Sequence, residues 1–383
     1  MASTTEIHGY CDTRFALVHE AFANNFEQGL EVGASFAATI DGKFVVDIWG
    51  GYIDEAQTKP WGKDTIVCVF STTKVMTSIC ALMLIDRGLL DPDAPVARYW
   101  PEFAQAGKEA VLIRHIMSHT AGLPALDSMP LPKEAMYDWD TVVELLAIQK
   151  PWWEPGKDWG YHAITFGHLV GEVVRRITGK TLGTFFREEV AEPLGADFHI
   201  GLPEKHERRV AQIIPAPELK PGDVGYFSPE SMLGRAMNFP VTSPLVATER
   251  PFRAAELPAS NGHGNARSVA HVTAAVACGG RLGAVRLMGA QTINRALEEQ
   301  YYGIPSSFPM PIRFGIGFAL NSKELPMSPN SRVLWWSGWG GSLAVMDLDA
   351  GLSYSYAMNK MSHATNGDPR VVPLIRALHK CLR

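Results

Sequence analysis

Phe70-Ser71-Thr72-Thr73-Lys74 leads without a break into Val75-Met76-Thr77-Ser78-Ile79-Cys80-Ala81-Leu82-Met83-Leu84-Ile85. The apolar run predicts a helix over about 71–88, ended by Gly88. Ser71 stands at its mouth with Lys74 three residues on, so both side chains leave the same helical face. An alcohol is a poor nucleophile at neutral pH. A lysine desolvated near the positive end of a helix dipole has its pKa lowered and can take the serine proton. No other serine in the chain has a lysine at this spacing. The same helix divides the chain, with strand patterns toward both termini and helical patterns between them.

On the N-terminal side, residues 12–29 show helical periodicity, ending near Gly29 and Gly33. Ala34-Ser35-Phe36-Ala37-Ala38-Thr39-Ile40, Asp41-Gly42 and Phe44-Val45-Val46-Asp47-Ile48-Trp49 then read as strand, turn and strand, which is a hairpin. On the C-terminal side, helices are expected at 111–118, 139–149, 165–178, 181–191 and about 267–277. Residues 200–262 are proline-rich, and long loops with short helices are expected there. Residues 312–318, 333–336, 343–348 and 352–358 read as strands, and 369–381 as a closing helix. Strands at both ends with helices between imply an α/β (α+β) fold, one antiparallel sheet assembled from both termini and carrying a mostly helical insertion. The division expected is a single catalytic unit over 1–383, with an α/β subdomain at about 10–70 and 275–383 and a mostly helical subdomain at about 71–274.

Composition narrows the partners. The chain has 383 residues, 46% hydrophobic and 20% charged, with a formal net charge of −5, enough for a sizeable core. No clustered basic surface suited to nucleic acid or an anionic membrane is evident, and no segment is long enough to span a bilayer. A small-molecule substrate is therefore expected, without nucleic acid, membrane or cofactor; a homo-oligomer is compatible with this. Cys11, Cys68, Cys80, Cys278 and Cys381 show neither C-x-x-C nor Cys/His metal spacing. Free thiols and an N-terminus with no basic and apolar leader pattern point to the cytoplasm. No metal site is expected: His162, His168 and Glu172 lack ligand spacing. G-x-S-x-G is absent, against an α/β-hydrolase.

Two further stretches carry chemistry. Trp152-Trp153-Glu154-Pro155-Gly156 and Trp159-Gly160-Tyr161-His162-Ala163 form a Pro/Gly-rich approach to a helix. There a tyrosine hydroxyl can reach a cleft and share the proton that Lys74 manages, although a packed tyrosine reads the same way. Trp335-Trp336-Ser337-Gly338-Trp339-Gly340-Gly341-Ser342 lies beside a late strand. Its glycines allow close backbone approach, so that an N–H could meet a developing oxyanion; a plain glycine bulge is the alternative.

In this order the three stretches resemble the serine β-lactamase/penicillin-recognition superfamily, most closely the branch of class C β-lactamases and family VIII carboxylesterases. Ser71-Thr72-Thr73-Lys74 resembles its S-x-x-K, Tyr161-His162-Ala163 its Y-x-N, and Trp336-Ser337-Gly338 its K-T-G or H-T-G. Met117-Ser118-His119-Thr120-Ala121-Gly122-Leu123-Pro124 and Asn261-Gly262-His263-Gly264-Asn265-Ala266-Arg267-Ser268-Val269-Ala270 match two further turns of that branch. The resemblance spans about residues 15–380.

The resemblance implies a β-lactamase-like fold in which Ser71 attacks an acyl carbonyl. Lys74 and Tyr161 share the role of base, and the N–H groups of Ser71 and Trp339 form the oxyanion hole. Trp336, Ser337, Gly338, Trp153, Trp159 and His162 are expected at the substrate. Ala163 in place of the motif asparagine, and Trp336 in place of its lysine or histidine, remove groups that would hold a β-lactam. The expected activity is ester hydrolysis through an acyl-enzyme. The alternatives are acyl transfer to an alcohol or amine, weak β-lactamase or D-aminopeptidase-type amidase action, and, at the far end, a non-enzymatic scaffold.

Overall fold

A computed structural model describes residues 5–127, 131–223, 226–237, 243–307, 310–364 and 367–382. Small parts of the loop-rich regions, 224–225, 238–242 and 308–309, lie outside the described residues. The chain forms one nine-stranded antiparallel sheet from β1 (Ile7–Cys11), β2 (Gly33–Ile40), β3 (Lys43–Gly51), β4 (Tyr301–Gly303), β5 (Ile312–Phe314), β6 (Ala319–Leu320), β7 (Val333–Ser337), β8 (Leu343–Asp347) and β9 (Leu352–Met358), in the order β1-β3-β2-β9-β8-β7-β6-β5-β4. The join between the two terminal parts is the β2–β9 ladder, Leu352 opposite Ile40 through Met358 opposite Ala34. The Asp41-Gly42 hairpin forms as read, with Asp41 at φ 49° and Gly42 at φ 76°, the left-handed pair such a turn requires.

Six helices of ten or more residues occur among the described residues: α1 (Ala16–Glu27), α2 (Thr73–Asp86), α3 (Trp139–Ile148), α4 (Thr165–Thr178), α5 (Ala266–Ala277) and α6 (Val371–Cys381). Side chains alternate across the sheet, and the two faces are covered differently. On one face α5 lies against β9, where Ser353 Oγ donates to Ala270 O at 3.0 Å and meets Thr273 Oγ1 at 2.6 Å. On the other, α6 covers Tyr354, whose ring meets His379 edge-on at 6.2 Å. The sequence division cut through α5, yet its hydrogen bonds tie it to the sheet.

Differences from the sequence reading include β1 and the segment 312–318. β1 pairs with β3 along Ile7–Cys11 but is largely exposed; an edge strand without a buried face leaves little alternating pattern to read. The strand expected over 312–318 breaks into β5 and β6, because Gly315 N donates to Phe318 O and Gly317 takes φ 87°. That turn is fixed from outside: Gly317 N donates to Met117 O, and Ser78 Oγ of α2 donates to Gly317 O at 2.7 Å.

α2 runs through the interior with Thr73–Leu84 all buried. A helix buried all round needs partners for each polar side chain. Thr77 Oγ1 donates to Pro258 O at 2.5 Å, Ser78 is held by Gly317, and Lys74 is held at the site described next.

Candidate active site

Ser71 sits in a 3-10 turn, Phe70–Thr72, feeding α2. Phe70 has φ 43°, a conformation that costs a non-glycine residue about 1–3 kcal/mol and persists only where its surroundings impose it. They do so from two sides. Thr73 Oγ1 donates to Phe70 O at 2.5 Å and accepts from Gly262 N at 2.8 Å, while Val69 N donates to Gly262 O. From the sheet, Ser342 Oγ donates to Val69 O at 2.7 Å and meets Thr72 Oγ1 at 2.9 Å. Gly338 is needed for this approach, since a methyl group there would stand 2.2 Å from Val69 O.

Lys74 is 2% exposed and, among the described residues, has no carboxylate beside it. Its Nζ donates to Ala163 O at 2.7 Å and Ala259 O at 2.9 Å, and lies 3.1 Å from Ser71 Oγ. Burial drives its pKa well below the ordinary 10.5. A neutral amine has two hydrogens and one lone pair. With the hydrogens given to the two carbonyls, the lone pair is left for the Ser71 proton.

Tyr161 Oη donates to Ser71 Oγ at 2.7 Å. Burial pushes this phenol up to about 12, against the lowering effect of Ser71 and Trp336, so it stays protonated. Its ring stacks on Trp159 at 6.2 Å and packs against His119 at 5.3 Å and Trp336 at 5.6 Å. The Lys74 amine lies 4.9 Å from the centre of the Tyr161 ring and 5.9 Å from that of Phe166. These ring faces stabilise an ammonium once Lys74 accepts a proton.

Among the described residues, the N–H groups of Ser71 and Trp339 have no protein acceptor, as an oxyanion hole requires. Trp339 packs edge-on against Phe70 at 5.5 Å. A narrow cavity of about 40 Å³ opens at Ser71, lined on its apolar side by Phe70, Ile164, Val246, Phe252 and Trp339. One hydroxyl interrupts that lining. Ser260 Oγ is buried without a partner, and such a group calls for a reason. Sequence reading missed it: the signal was its place next to the Asn261-Gly262 turn, but only the fold shows where it faces.

The structure brings Ser71, Lys74, Tyr161 and Trp339 together, whereas the six residues expected at the substrate do not line this cavity. His162 is fully buried. Its Nε2 accepts from Leu123 N at 3.0 Å, Nδ1 meets Gly160 O at 2.5 Å, and burial lowers its pKa to about 3, so it braces two loops as a neutral ring. Trp159 and Trp336 pack behind the Tyr161 ring. Trp336 Nε1 makes no hydrogen bond of good geometry, yet lies close enough to the phenol to hold down its pKa. Trp153 covers Gly160, where a methyl group would meet its ring at 2.3 Å. Gly338 backs the Ser71 turn. Ser337 follows Trp336 in β7 and lines a cavity on the opposite face with Trp335. Among the described residues, no group of three or more His, Cys, Asp or Glu side chains is arranged to hold a metal ion.

His119 sits at the centre of this aromatic packing with φ 63°, its Nδ1 accepting from His162 N at 3.2 Å. Burial, with smaller contributions from His162 and Lys74, drives its pKa well below 6.5. It therefore supports the Tyr161 ring without adding a second charge beside Lys74.

Comparison with known proteins identifies the family and the fold. The family model described as Beta-lactamase matches residues 22–375. Esterase/beta-lactamase LipL of Mycobacterium tuberculosis (strain ATCC 25618 / H37Rv) is 34% identical over 364 residues, covering 93% of this chain and 83% of that protein. The crystal structure of a family VIII carboxylesterase superposes with a TM-score of 0.92 at 42% identity, covering 98% of this chain and all of that one. Monacolin J acid methylbutanoyltransferase of Aspergillus terreus (strain NIH 2624 / FGSC A1156) is 31% identical over 161 residues, covering 36% of this chain and 38% of that protein.

Proposed function

The chain belongs to the Beta-lactamase family, and we propose that it is a serine carboxylesterase of that fold, cleaving small carboxylic esters through an acyl-enzyme on Ser71. One observation carries the reading: the Ser71 hydroxyl lies between a buried lysine with no countercharge and a tyrosine kept protonated. As Ser71 Oγ bonds to the ester carbonyl carbon, its proton passes to Lys74, and the carbonyl oxygen turns to the N–H groups of Ser71 and Trp339. Collapse of the tetrahedral intermediate breaks the bond to the alkoxy oxygen. That oxygen takes the Tyr161 proton, and Lys74 returns its own to the phenolate. Water then attacks the acyl-enzyme by the same steps in reverse, giving the acid and free Ser71. In this scheme Lys74 is the base and Tyr161 the proton donor to the leaving group.

The cavity wall is apolar, favouring a neutral acyl group, and the short cavity favours short acyl chains. Trp336 at the third-motif position offers no cation to a lactam carboxylate, so β-lactam hydrolysis is expected to be slow. Acyl transfer is the second reading, favoured by the partial match to an acyltransferase; it differs only in an alcohol replacing water at the acyl-enzyme. The five free cysteines support a cytoplasmic setting, and the proposed catalytic unit is the whole chain, with residues of about 71–274 as its mostly helical part.

Hydrolysis of a graded series of 4-nitrophenyl esters by wild type and Ser71→Ala, with mass spectrometry of the quenched enzyme, tests this. Loss of about 10⁴-fold or more in the variant, with an acyl adduct on the Ser71 peptide of wild type, is the expected result. Equal rates in the two proteins would remove Ser71 as nucleophile. Methanol added to the assay separates the two readings by the ratio of methyl ester to acid formed.

A further inference from the structure

On the face of the sheet turned away from Ser71, a cavity of about 630 Å³ lies between β7, β8, the loop after β6 and α6. Its size falls within the range that small-molecule sites occupy. Trp335 and Leu343 form its floor, Met327 one side, and Val372 and Ile375 of α6 the other. α6 buries Val371, Leu374 and Leu378 in the core. Its second apolar edge, half-buried Val372 and Ile375, faces the cavity.

The charges at this cavity are of two kinds. The acids are already engaged: Asp368 accepts from Arg370 and Ser362, and Glu324 accepts from Tyr302 at 3.1 Å and lies 3.7 Å from Lys323. His379 Nε2 meets Met327 O at 3.0 Å. The two cations are not engaged. Arg376 and Lys380, exposed and one turn apart on α6, line the cavity and make no ion pair or hydrogen bond among the described residues. Like charges at this spacing repel. The C-terminal dipole of α6 favours cations in its last turn, but it does not account for an apolar cavity opening beside them.

We propose that this cavity is a second binding site, separate from Ser71, for a small amphipathic carboxylate whose apolar body lies on Trp335, Leu343 and Ile375 and whose anionic head pairs with Arg376 and Lys380. Such a molecule covers the apolar floor and supplies the missing countercharge together. Because Trp335 and Trp336 point to opposite faces of β7, occupancy here leaves the Ser71 cavity open. The proposal is independent of the chemistry assigned to Ser71.

Octanoate, with 1-octanol as its neutral counterpart, is the probe. Calorimetric titration of the full chain is expected to give one saturable octanoate site. Ile375→Trp, which puts an indole where the apolar body would lie, and the double variant Arg376→Ala/Lys380→Ala should each weaken octanoate at least tenfold. The double variant should leave octanol binding and the hydrolysis of 4-nitrophenyl esters unchanged. Octanoate bound equally by wild type and both variants would place it elsewhere, the Ser71 cavity included, and overturn the proposal, as would no binding at millimolar octanoate. The charge variant sits on exposed side chains, so the test stands even where Ile375→Trp fails to fold.

Discussion

Lys74 and Arg370 are buried to the same degree, each 2% exposed, and have opposite chemistry. Around Lys74 the polar atoms are two carbonyls and a hydroxyl. Around Arg370 they are the Asp368 carboxylate, taken in two bonds, the Glu31 carboxylate at 3.4 Å, and the carbonyls of Lys360 and Gly340. Burial alone pulls the Lys74 pKa well down. At Arg370 burial acts the same way, but the Tyr356 hydroxyl and the Asp368 and Glu31 carboxylates outweigh it and hold the charge in place. The countercharge, more than the depth of burial, separates a base from a brace. Arg370 also serves the site at a distance, since its bond to Gly340 O pins the turn that carries Trp339.

The sharpest way to break this comparison is to remove each charge in turn. Lys74→Met is expected to lower kcat/KM by about 10³-fold without destabilising the fold at neutral pH. The sign follows from linkage. The unfolded chain takes up the Lys74 proton below its ordinary 10.5, whereas the folded protein does so only at much lower pH. Wild type therefore loses stability relative to Lys74→Met as pH falls from 10.5 toward the folded pKa. Denaturant unfolding of the two proteins at pH 7 and pH 10 measures the difference. Arg370→Met, which strands Glu31 and Asp368, is expected to cost about 3–5 kcal/mol in the same experiment; an Arg370→Met protein as stable as wild type would end the contrast.

A milder change gives Lys74 what Arg370 has. Ala163 lines the Ser71 cavity, and its carbonyl already holds Lys74. Ala163→Asp is expected to raise the Lys74 pKa by about 1–2 units, moving the acid limb of the pH–rate profile upward and slowing hydrolysis at pH 7 by about 10–100-fold. A profile whose acid limb does not move would show that another group governs it. The smallest effect is expected at Ser260, which lines the Ser71 cavity with its hydroxyl unpartnered: Ser260→Ala should change KM by about 3–10-fold, the range of one hydrogen bond, with unfolding unaffected.

Local chemistry made much of the fold legible. The Asp41-Gly42 turn, the strands at 343–348 and 352–358 and the core helix behind Ser71 are visible because their residue types suit one backbone and their apolar runs are bounded by turn residues. The edge strand β1 has no buried face to announce it. The 312–318 segment looks like one strand until Met117 and Ser78 fix Gly317 in a turn. At the site, the spacing of Ser71 and Lys74 reveals a pair within one helical turn. That His162 joins two loops is not legible from side-chain type, and the facing of Ser337 depends on the register of β7 with β8.

By itself, then, the sequence determined which residues have the chemistry of a nucleophile, a base and a proton donor, since reactivity belongs to the side chain and helical spacing to its neighbours. Tertiary structure alone decided that the pKa of Lys74 is driven down. Its environment is made of the carbonyls of Ala163 and Ala259, 89 and 185 residues away, with no acid beside it among the described residues. Every residue has a carbonyl, so no residue type marks the ones that will converge on an amine. The pKa of Lys74 is set by what surrounds it after folding.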